Sequence, residues 1–455
     1  MNPSISRGHI FYPPLSLISL APFLKQNGHE VHILDRNVLN NPFEDMVKKI
    51  MPDIVGISSL TNPMISDGLK VAGIVRTITD SPIIWGGIHP SILPFQTIQN
   101  PLVDVVCVGE GEYTLLEIAN VLEKNKSLKD VRGILYKDKN GVHTNPPRPF
   151  MKSPKELPMP AWDLVDMSKY FEAGILTGKG CPYKCTFCYR NIGLQKRPRI
   201  EKTADQILDE ISHLVHKYKR RVIHIFDDVF TLNKRRVREV CKKIKSERLD
   251  IRWICDAQVT NVDYETLDLM KKAGCFHLVF GVESGSQRML DFIKKGITVS
   301  QVLDAFDLCK KVGLRAGAFF MYGLPTETRE DLNMTMKLAS KLTNVSALQN
   351  FKPLPGSELY EFCVKNGLFR PPTSLVEWGD IDLNTINLSE VPIEEINLFR
   401  KEISVKLNIK NAINYSKYGI DYFMHETPSI AMKWFYWYFR DGRFSHAPTP
   451  SRKIN

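Results

Sequence analysis

The chain has 455 residues, of which 43% are hydrophobic and 24% charged, with a net charge of +11. That supplies apolar material for two or three domains, and with no run of ~18 uninterrupted apolar residues a membrane-spanning helix is not expected. Lys and Arg are spread along the chain apart from clusters such as Lys217-Tyr-Lys-Arg-Arg221 and Lys234-Arg-Arg236, so a nucleic-acid-binding face is not expected. Solvated helix faces account for most of the excess, and anionic substrates or an acidic electron-donor protein are compatible with it.

In chain order, Leu15 to Gln26 reads as a helix stopped by Asn27-Gly28. Strands are expected at Glu30–Asp35, Asp53–Ser59, Pro82–Gly87 and Val103–Gly109, with a helix over Ile65–Ile78. Short apolar runs separated by helices imply a doubly wound, Rossmann-like parallel sheet over residues 1–140. Ligands of such sheets bind at the carboxyl ends of the strands. The chain turns small and polar there, at Ser58-Ser59-Leu-Thr61, Gly86-Gly87-Ile-His89 and Gly109-Glu110-Gly-Glu112. Ordinary turn chemistry and close backbone approach to a ligand both explain that composition. Residues 141–172 are proline-rich and read as a semi-rigid linker.

From Gly174 strands and helices alternate again. Strands are expected at Gly174–Thr177, Val222–Phe226, Ile251–Ile254, His277–Gly281, Ala316–Met321 and Ser346–Asn350. Between them fall helices at Ala204–Tyr218, Arg235–Ser246, Tyr264–Ala273, Val299–Val312 and Glu330–Leu342. Six such units over residues 173–360 imply a partial (β/α)6, TIM-like barrel whose site lies at the carboxyl ends of its strands.

Behind the first of these strands stand Cys181, Cys185 and Cys188, spaced Cys-x3-Cys-x2-Cys. Three thiolates on one loop suit three corners of a cubane iron–sulfur cluster, with one iron left open. Zinc with a fourth ligand from elsewhere is the rival, although structural zinc ligands usually come as two separated pairs. Nine cysteines and no leader pattern in Met1–Arg7 make disulfides unexpected and a reducing cytoplasm the expected compartment. Cys107, Cys255, Cys275 and Cys309 sit in apolar runs and read as small hydrophobes, with Cys241 and Cys363 isolated.

The run Gly180-Cys-Pro-Tyr-Lys-Cys-Thr-Phe-Cys-Tyr189 resembles the cluster loop of radical S-adenosylmethionine (SAM) enzymes. Later strand ends extend the resemblance: Phe226-Asp227-Asp228, Gly281-Val-Glu283-Ser284-Gly285, Tyr322-Gly323-Leu324-Pro325-Thr-Glu327 and Lys352-Pro-Leu-Pro-Gly356. Tyr12-Pro-Pro-Leu-Ser-Leu17, Pro52–Ser58 and Gly109–Glu112 resemble the cobalamin-binding domain that precedes many radical SAM modules. The Asp-x-His-x-x-Gly motif that gives cobalt an imidazole in some relatives is absent, and the lower axial ligand stays open. The family's first strand normally ends where Asn2-Pro3 stands, so that strand is expected to be missing.

The resemblance implies a [4Fe-4S] cluster on Cys181, Cys185 and Cys188, with no catalytic residue identified beyond these ligands. It implies SAM contacts from Phe187, Asp227, Asp228, Glu283, Ser284, Gly323 and Leu324. For Asp227 and Asp228, a helix N-cap role is an equally physical reading. Cobalamin contacts are implied at Ser58, Ser59, Thr61, Gly86, Gly87, Gly109 and Glu110. The implied activity is reductive cleavage of SAM to a 5′-deoxyadenosyl radical and cobalamin-dependent methylation of an unactivated carbon in a small-molecule or lipid substrate. The electron would come from reduced ferredoxin or flavodoxin. Cyclisation or rearrangement without methyl transfer is the alternative, and a non-catalytic zinc module the remote one.

Residues 361–455 are expected to form a mostly helical extension, with a helix over Pro392–Leu407 and a disordered end at His446–Asn455. Its aromatic run Ser429–Arg440 suits a helix packed on the barrel, a membrane interface or a pocket wall.

Overall fold

The computed structural model describes residues 1–4, 12–39, 42–189, 198–342 and 344–399. The expected aromatic segment Ser429–Arg440 and the chain end His446–Asn455 lie outside the described residues. Of the helix expected over Pro392–Leu407, residues 393–399 are described and helical. Among the described residues no helix is long and apolar enough to cross a membrane.

Two compact units form. The first joins Met1–Tyr170, Gly180–Ile200 and Pro353–Leu383; the second joins Phe171–Lys179, Glu201–Lys352 and the described residues from Asn384.

The first unit begins with α1 (Leu15–Lys25) and α2 (Phe43–Ile50), followed by β1 (Val55–Ser58), α3 (Met64–Ile78) and β2 (Ile83–Gly86). Two short helices, α4 (Ile88–Ile92) and α5 (Pro94–Ile98), lead to β3 (Val105–Cys107), α6 (Glu112–Glu123), β4 (Ile134–Asp138) and β5 (Gly141–Thr144). The sheet runs β1-β2-β3-β4-β5, parallel through β3 and antiparallel after it. Helix α3 buries Ile65, Val71, Ala72 and Val75 on one stripe, as an amphipathic helix on a sheet does. Ile84, Val105, Ile118, Ile134 and Tyr136 form a core between sheet and helices.

Two expectations change here. Glu30–Asp35 is not a laddered strand: among the described residues its one bridge joins Asp35 to Asn2. The stretch after residue 140 opens with a strand rather than linker. Asn140 donates its N–H to Asp138 Oδ1 and Gly141 takes a positive φ, which closes a tight hairpin.

In the second unit β6 (Ala173–Ile175) opens a six-stranded sheet, and β7 (Gly178–Lys179) and β8 (Ile200–Glu201) bracket the cysteine loop along the chain. Then follow α7 (Ala204–Tyr218), β9 (Val222–Ile225), α8 (Lys234–Ser246), β10 (Arg252–Ala257), α9 (Tyr264–Lys272) and β11 (Cys275–Glu283). The unit continues with α10 (Gln287–Phe292), α11 (Val299–Val312), β12 (Arg315–Tyr322), α12 (Arg329–Lys341) and β13 (Val345–Asn350). The large sheet has order β6-β9-β10-β11-β12-β13, every neighbour parallel. That is the expected six-unit (β/α) topology. Capping boxes at Thr203/Gln206, Thr298/Gln301 and Thr328/Asp331 start α7, α11 and α12, each satisfying otherwise orphaned backbone donors.

Two further helices, α13 (Glu358–Lys365) and α14 (Leu375–Asp380), belong to the first unit, not to a separate extension. Helix α14 packs on α3, and Asn62 donates to the Ile381 carbonyl.

Candidate functional site

The cysteine loop starts at Gly180, whose φ is +94° and whose carbonyl accepts Arg199 Nη1 at 2.8 Å. A turn joins the second and third cysteines, with the Cys188 N–H donating to the Cys185 carbonyl at 3.2 Å. Thr186 accepts the Leu359 N–H through its carbonyl. Cys181 and Cys188 are half-buried, Cys185 is 9% exposed, and none of the three is in a disulfide. Phe187 is half-buried beside Cys188 in sequence. Among the described residues no three His, Cys, Asp or Glu side chains converge as a closed metal cage. What fits a cubane is the donor set: three thiols and no fourth on one short loop, for a cluster that draws its ligands together as it binds.

The other cysteines match their bland reading. Burial pushes the Cys107 and Cys309 thiols up to about 12 and Cys363 up to about 11. Such thiols stay protonated and are poor metal ligands.

In the second unit the strand ends carry polar side chains with well-defined partners. Asp227, after β9, is 0% exposed. Its Oδ1 accepts the N–H groups of Thr177 (2.6 Å) and Gly178 (2.8 Å). Its Oδ2 accepts Thr177 Oγ1 (2.7 Å) and Arg236 Nη2 (3.2 Å). These oxygens therefore fasten the backbone that leads into the cysteine loop. Asp228 is half-buried. Asp256, near the end of β10, was not singled out by its sequence context. Burial raises its carboxyl to about 6, with His224 opposing and Asp228 and Asp227 adding to the rise.

Glu283 ends β11 in a left-handed conformation, φ +70°, at a register shift against β12. A non-glycine residue held there stores strain, a feature that clusters at functional sites. Its Oε1 accepts Lys295 Nζ at 2.8 Å, and both side chains are buried. A Cβ on Gly281 would lie 2.6 Å from Glu283 Oε1 and 2.7 Å from Lys295 Nζ, so a side chain there would displace the pair. Lys295 carried no sequence signal. Ser284 is turned inward: its Oγ lies 3.2 Å from Thr335 Oγ1 and accepts the Ser286 N–H.

The Gly323–Leu324 turn after β12 is held by Glu327, whose Oε2 accepts both N–H groups at 2.7 and 3.3 Å. Glu327 is 0% exposed, and its Oε1 has no partner among the described residues. Burial lifts this carboxyl to about 8, against the lowering effect of the two N–H groups. The native state thus keeps a proton that an unfolded Glu releases near its ordinary value of 4.5. The stabilisation is complete below about pH 4.5, declines as pH rises and is lost above about 8, at a slope of up to about 1.4 kcal/mol per pH unit. Glu327→Gln should flatten the decline of the thermal midpoint between those limits. A variant curve parallel to wild type would refute the assignment.

In the first unit the carboxyl ends of β1, β2 and β3 bring the small and polar residues together. Ser59 donates its N–H to the Gly86 carbonyl at 2.9 Å. Gly87 has φ +99°, and a Cβ there would stand 2.7 Å from the Ser59 carbonyl oxygen, so only glycine fits. Ser58 Oγ lies 3.4 Å from Ser16 Oγ. Thr61 Oγ1 lies 3.2 Å from His89 Nδ1, and Gly109 donates its N–H to Ser91 Oγ at 2.9 Å. Glu110 Oε2 accepts the Met151 N–H at 2.7 Å. His89 is buried against Trp378, ring centroids 5.6 Å apart, and burial lowers its imidazole to about 4. It is therefore neutral, and Trp378 from α14 is a neighbour that no local pattern announces. A backbone-lined edge rimmed by glycines, serines and a threonine fits a large, polar-edged cofactor such as cobalamin.

Residues 175–339 match the model of the radical SAM superfamily, and residues 9–119 match that of the B12 binding domain. The chain is 37% identical over 367 residues to an uncharacterized methyltransferase of Pyrococcus horikoshii, covering 78% of this chain and 79% of that one. It is 27% identical over 429 residues to cytidylyl-2-hydroxyethylphosphonate methyltransferase of Streptomyces wedmorensis, covering 80% of each. Among solved structures it resembles the radical SAM methyltransferase TsrM of Kitasatospora setae, solved with cobalamin and a [4Fe-4S] cluster. The TM-score is 0.69 at 19% identity, over 82% of this chain and 78% of that one, a likeness of fold.

Proposed function

The chain belongs to the radical SAM superfamily, in the branch that carries a B12-binding domain, and from that premise we propose that it methylates an unactivated carbon of a small-molecule or lipid substrate. What carries this reading is the loop of Cys181, Cys185 and Cys188 behind the first strand of a six-unit barrel, in a chain that also matches the B12-binding model.

A [4Fe-4S] cluster bound there would supply the one electron for reductive cleavage of SAM to methionine and a 5′-deoxyadenosyl radical, and bound cobalamin would supply a transferable methyl group. Cys181, Cys185 and Cys188 would hold three irons. Asp228, Glu283 and the Gly323–Leu324 turn would bind SAM, with Phe187 beside the cluster. Asp227 and Ser284 would serve the same site through the backbone they hold. Ser58, Ser59, Thr61, Gly86, Gly87, Gly109 and Glu110 would line cobalamin. Asp256 keeps a carboxyl that can hold or release a proton near neutrality. A reduced ferredoxin or flavodoxin, acidic against a chain of net charge +11, would deliver the electron. The domains run 1–140 for cobalamin, 141–172 for the connection, 173–360 for the radical SAM module and 361–455 for the extension, with the hairpin strand β5 and the helices α13 and α14 crossing those limits.

Anaerobic reconstitution with iron, sulfide and cobalamin tests it. The expected product is a brown protein with one corrinoid bound that converts SAM to 5′-deoxyadenosine. A colourless protein holding one zinc would overturn the enzyme reading. SAM cleavage without corrinoid absorbance would reject cobalamin-dependent methylation and favour cyclisation or rearrangement.

A further inference from the structure

The segment Pro353–Leu383 follows the last strand of the large sheet yet belongs to the first unit, as does the cysteine loop within Gly180–Ile200. At its near end stands α13. Ser357 caps this helix, its Oγ accepting the Tyr360 N–H at 3.2 Å. The Leu359 N–H is another first-turn donor with no acceptor inside the helix, and it goes to the Thr186 carbonyl at 2.9 Å. Thr186 is buried and stands between Cys185 and Phe187, so the middle of the cysteine loop hangs on the start of α13.

At the other end of α13 Gly367 takes φ +68° and closes the helix. Its N–H donates to the Val364 carbonyl at 3.1 Å, and that of Leu368 to the Cys363 carbonyl at 2.8 Å. The reversal brings Phe369 back onto Tyr360, ring centroids 6.0 Å apart, and Phe369 meets Trp378 of α14 at 6.5 Å. Trp378 is fully buried against His89 at 5.6 Å, and His89 Nδ1 lies 3.2 Å from Thr61 Oγ1. Gly379 lets α14 approach α3 closely, since a Cβ there would stand 2.6 Å from Ser66 Oγ. Gln96 Nε2 donates to the Pro372 carbonyl at 3.1 Å, and Asn62 to that of Ile381. The segment thus holds the turns beyond β1 and β2 at one end and the cysteine loop at the other.

We infer that this segment couples the two cofactor sites, and that Trp378 is the positioning residue through which the coupling passes. The coupling rests on the placement proposed above, with the cluster on the cysteine loop and cobalamin at the ends of β1, β2 and β3. A run of packed rings tied down by hydrogen bonds at both ends is a physical carrier for it. Trp378 acts there by packing: neither its Nε1 nor His89 Nε2 has a hydrogen-bond partner among the described residues. A ring without the indole N–H should therefore serve in its place, because no hydrogen bond is lost. The effect is reciprocal, since whatever factor the cluster adds to cobalamin affinity, cobalamin adds to cluster affinity.

Titration of the full-length protein with hydroxocobalamin, before and after anaerobic reconstitution of its cluster, tests it. Wild type should bind hydroxocobalamin about 5-fold or more tightly once the cluster is in place. Trp378→Ala should bring that ratio to about 1, whereas Trp378→Phe should keep it. Trp378→Leu, which leaves a smaller cavity, should also lower the ratio and serves if Trp378→Ala does not fold. A wild-type ratio of about 1 would overturn the inference. So would an unchanged ratio in the Ala or Leu variant with a lowered thermal midpoint, the result expected if Trp378 served stability alone. Wild type that binds no hydroxocobalamin in either state would overturn the cobalamin reading itself, and the coupling with it.

Discussion

Cys185→Ala should yield a soluble protein that, after anaerobic reconstitution, lacks the brown absorbance and cleaves SAM more slowly by roughly a factor of 1000 or more, about 4 kcal/mol of lost catalysis. Cys185 is the most buried of the three and the middle ligand of the loop. Removing it leaves two thiolates for a cluster that needs at least three protein ligands and one open iron. The turn itself should survive, because the bond from the Cys188 N–H ends on the residue 185 carbonyl and not on its sulfur. Loss of the cluster with retained folding is therefore the expected separation. Cys309→Ala is the matching control: its buried thiol is pushed up to about 12, and the variant should keep full iron and sulfide content. Wild-type SAM cleavage by Cys185→Ala would remove that residue from the ligand set.

Asp227→Ala should lower the thermal midpoint by about 10 °C and reduce cluster retention as well, although Asp227 is not among the proposed metal ligands. Its carboxylate satisfies two backbone N–H groups, one hydroxyl and Arg236, and each partner is buried. Arg236 also donates to the Thr177 carbonyl at 2.9 Å and lies 3.5 Å from Glu201. Deleting Asp227 removes the nearer of its two carboxylates, and breaking a buried pair of this kind costs about 3–5 kcal/mol. Asp227→Asn should be milder, since an amide oxygen still accepts the Thr177 and Gly178 N–H groups while the charge opposite Arg236 is lost. Differential scanning calorimetry and iron content read the two effects separately. An Asp227→Ala protein that melts within about 2 °C of wild type would show that the loop is anchored elsewhere.

The contrast between Asp227 and Cys185 separates local from tertiary information. A triplet of cysteines within eight positions can act together on any backbone path, so its chemistry is legible in the chain. The strands and most helices were legible for the same reason. Period and turn residues report which face is buried, and helix boundaries such as Ala204–Tyr218 agree with the expectation residue for residue. Asp227 in its sequence context fits equally well as a ligand contact or a helix cap. Its actual partners at Thr177 and Gly178 lie about fifty positions away and are set by β9 lying beside β6.

The misses have the same origin. Glu30–Asp35 has strand periodicity but among the described residues is bridged only at Asp35, and a strand exists only where another chain segment accepts its hydrogen bonds. Lys295 and Glu327 have no pattern of their own, and burial beside Glu283 and the Gly323–Leu324 turn creates their roles. Trp378 reaches His89 only because α14 packs on α3 within the first unit. By itself the sequence determined the domain types, the barrel rhythm, the cluster loop and the glycine-edged strand ends, since these depend on spacing and residue chemistry over short distances. The tertiary structure decided which carboxylates are spent on backbone, which stay protonated, and which side chains far along the chain become neighbours. Those outcomes depend on desolvation and on partners far along the chain, and neither can be read from neighbouring residues.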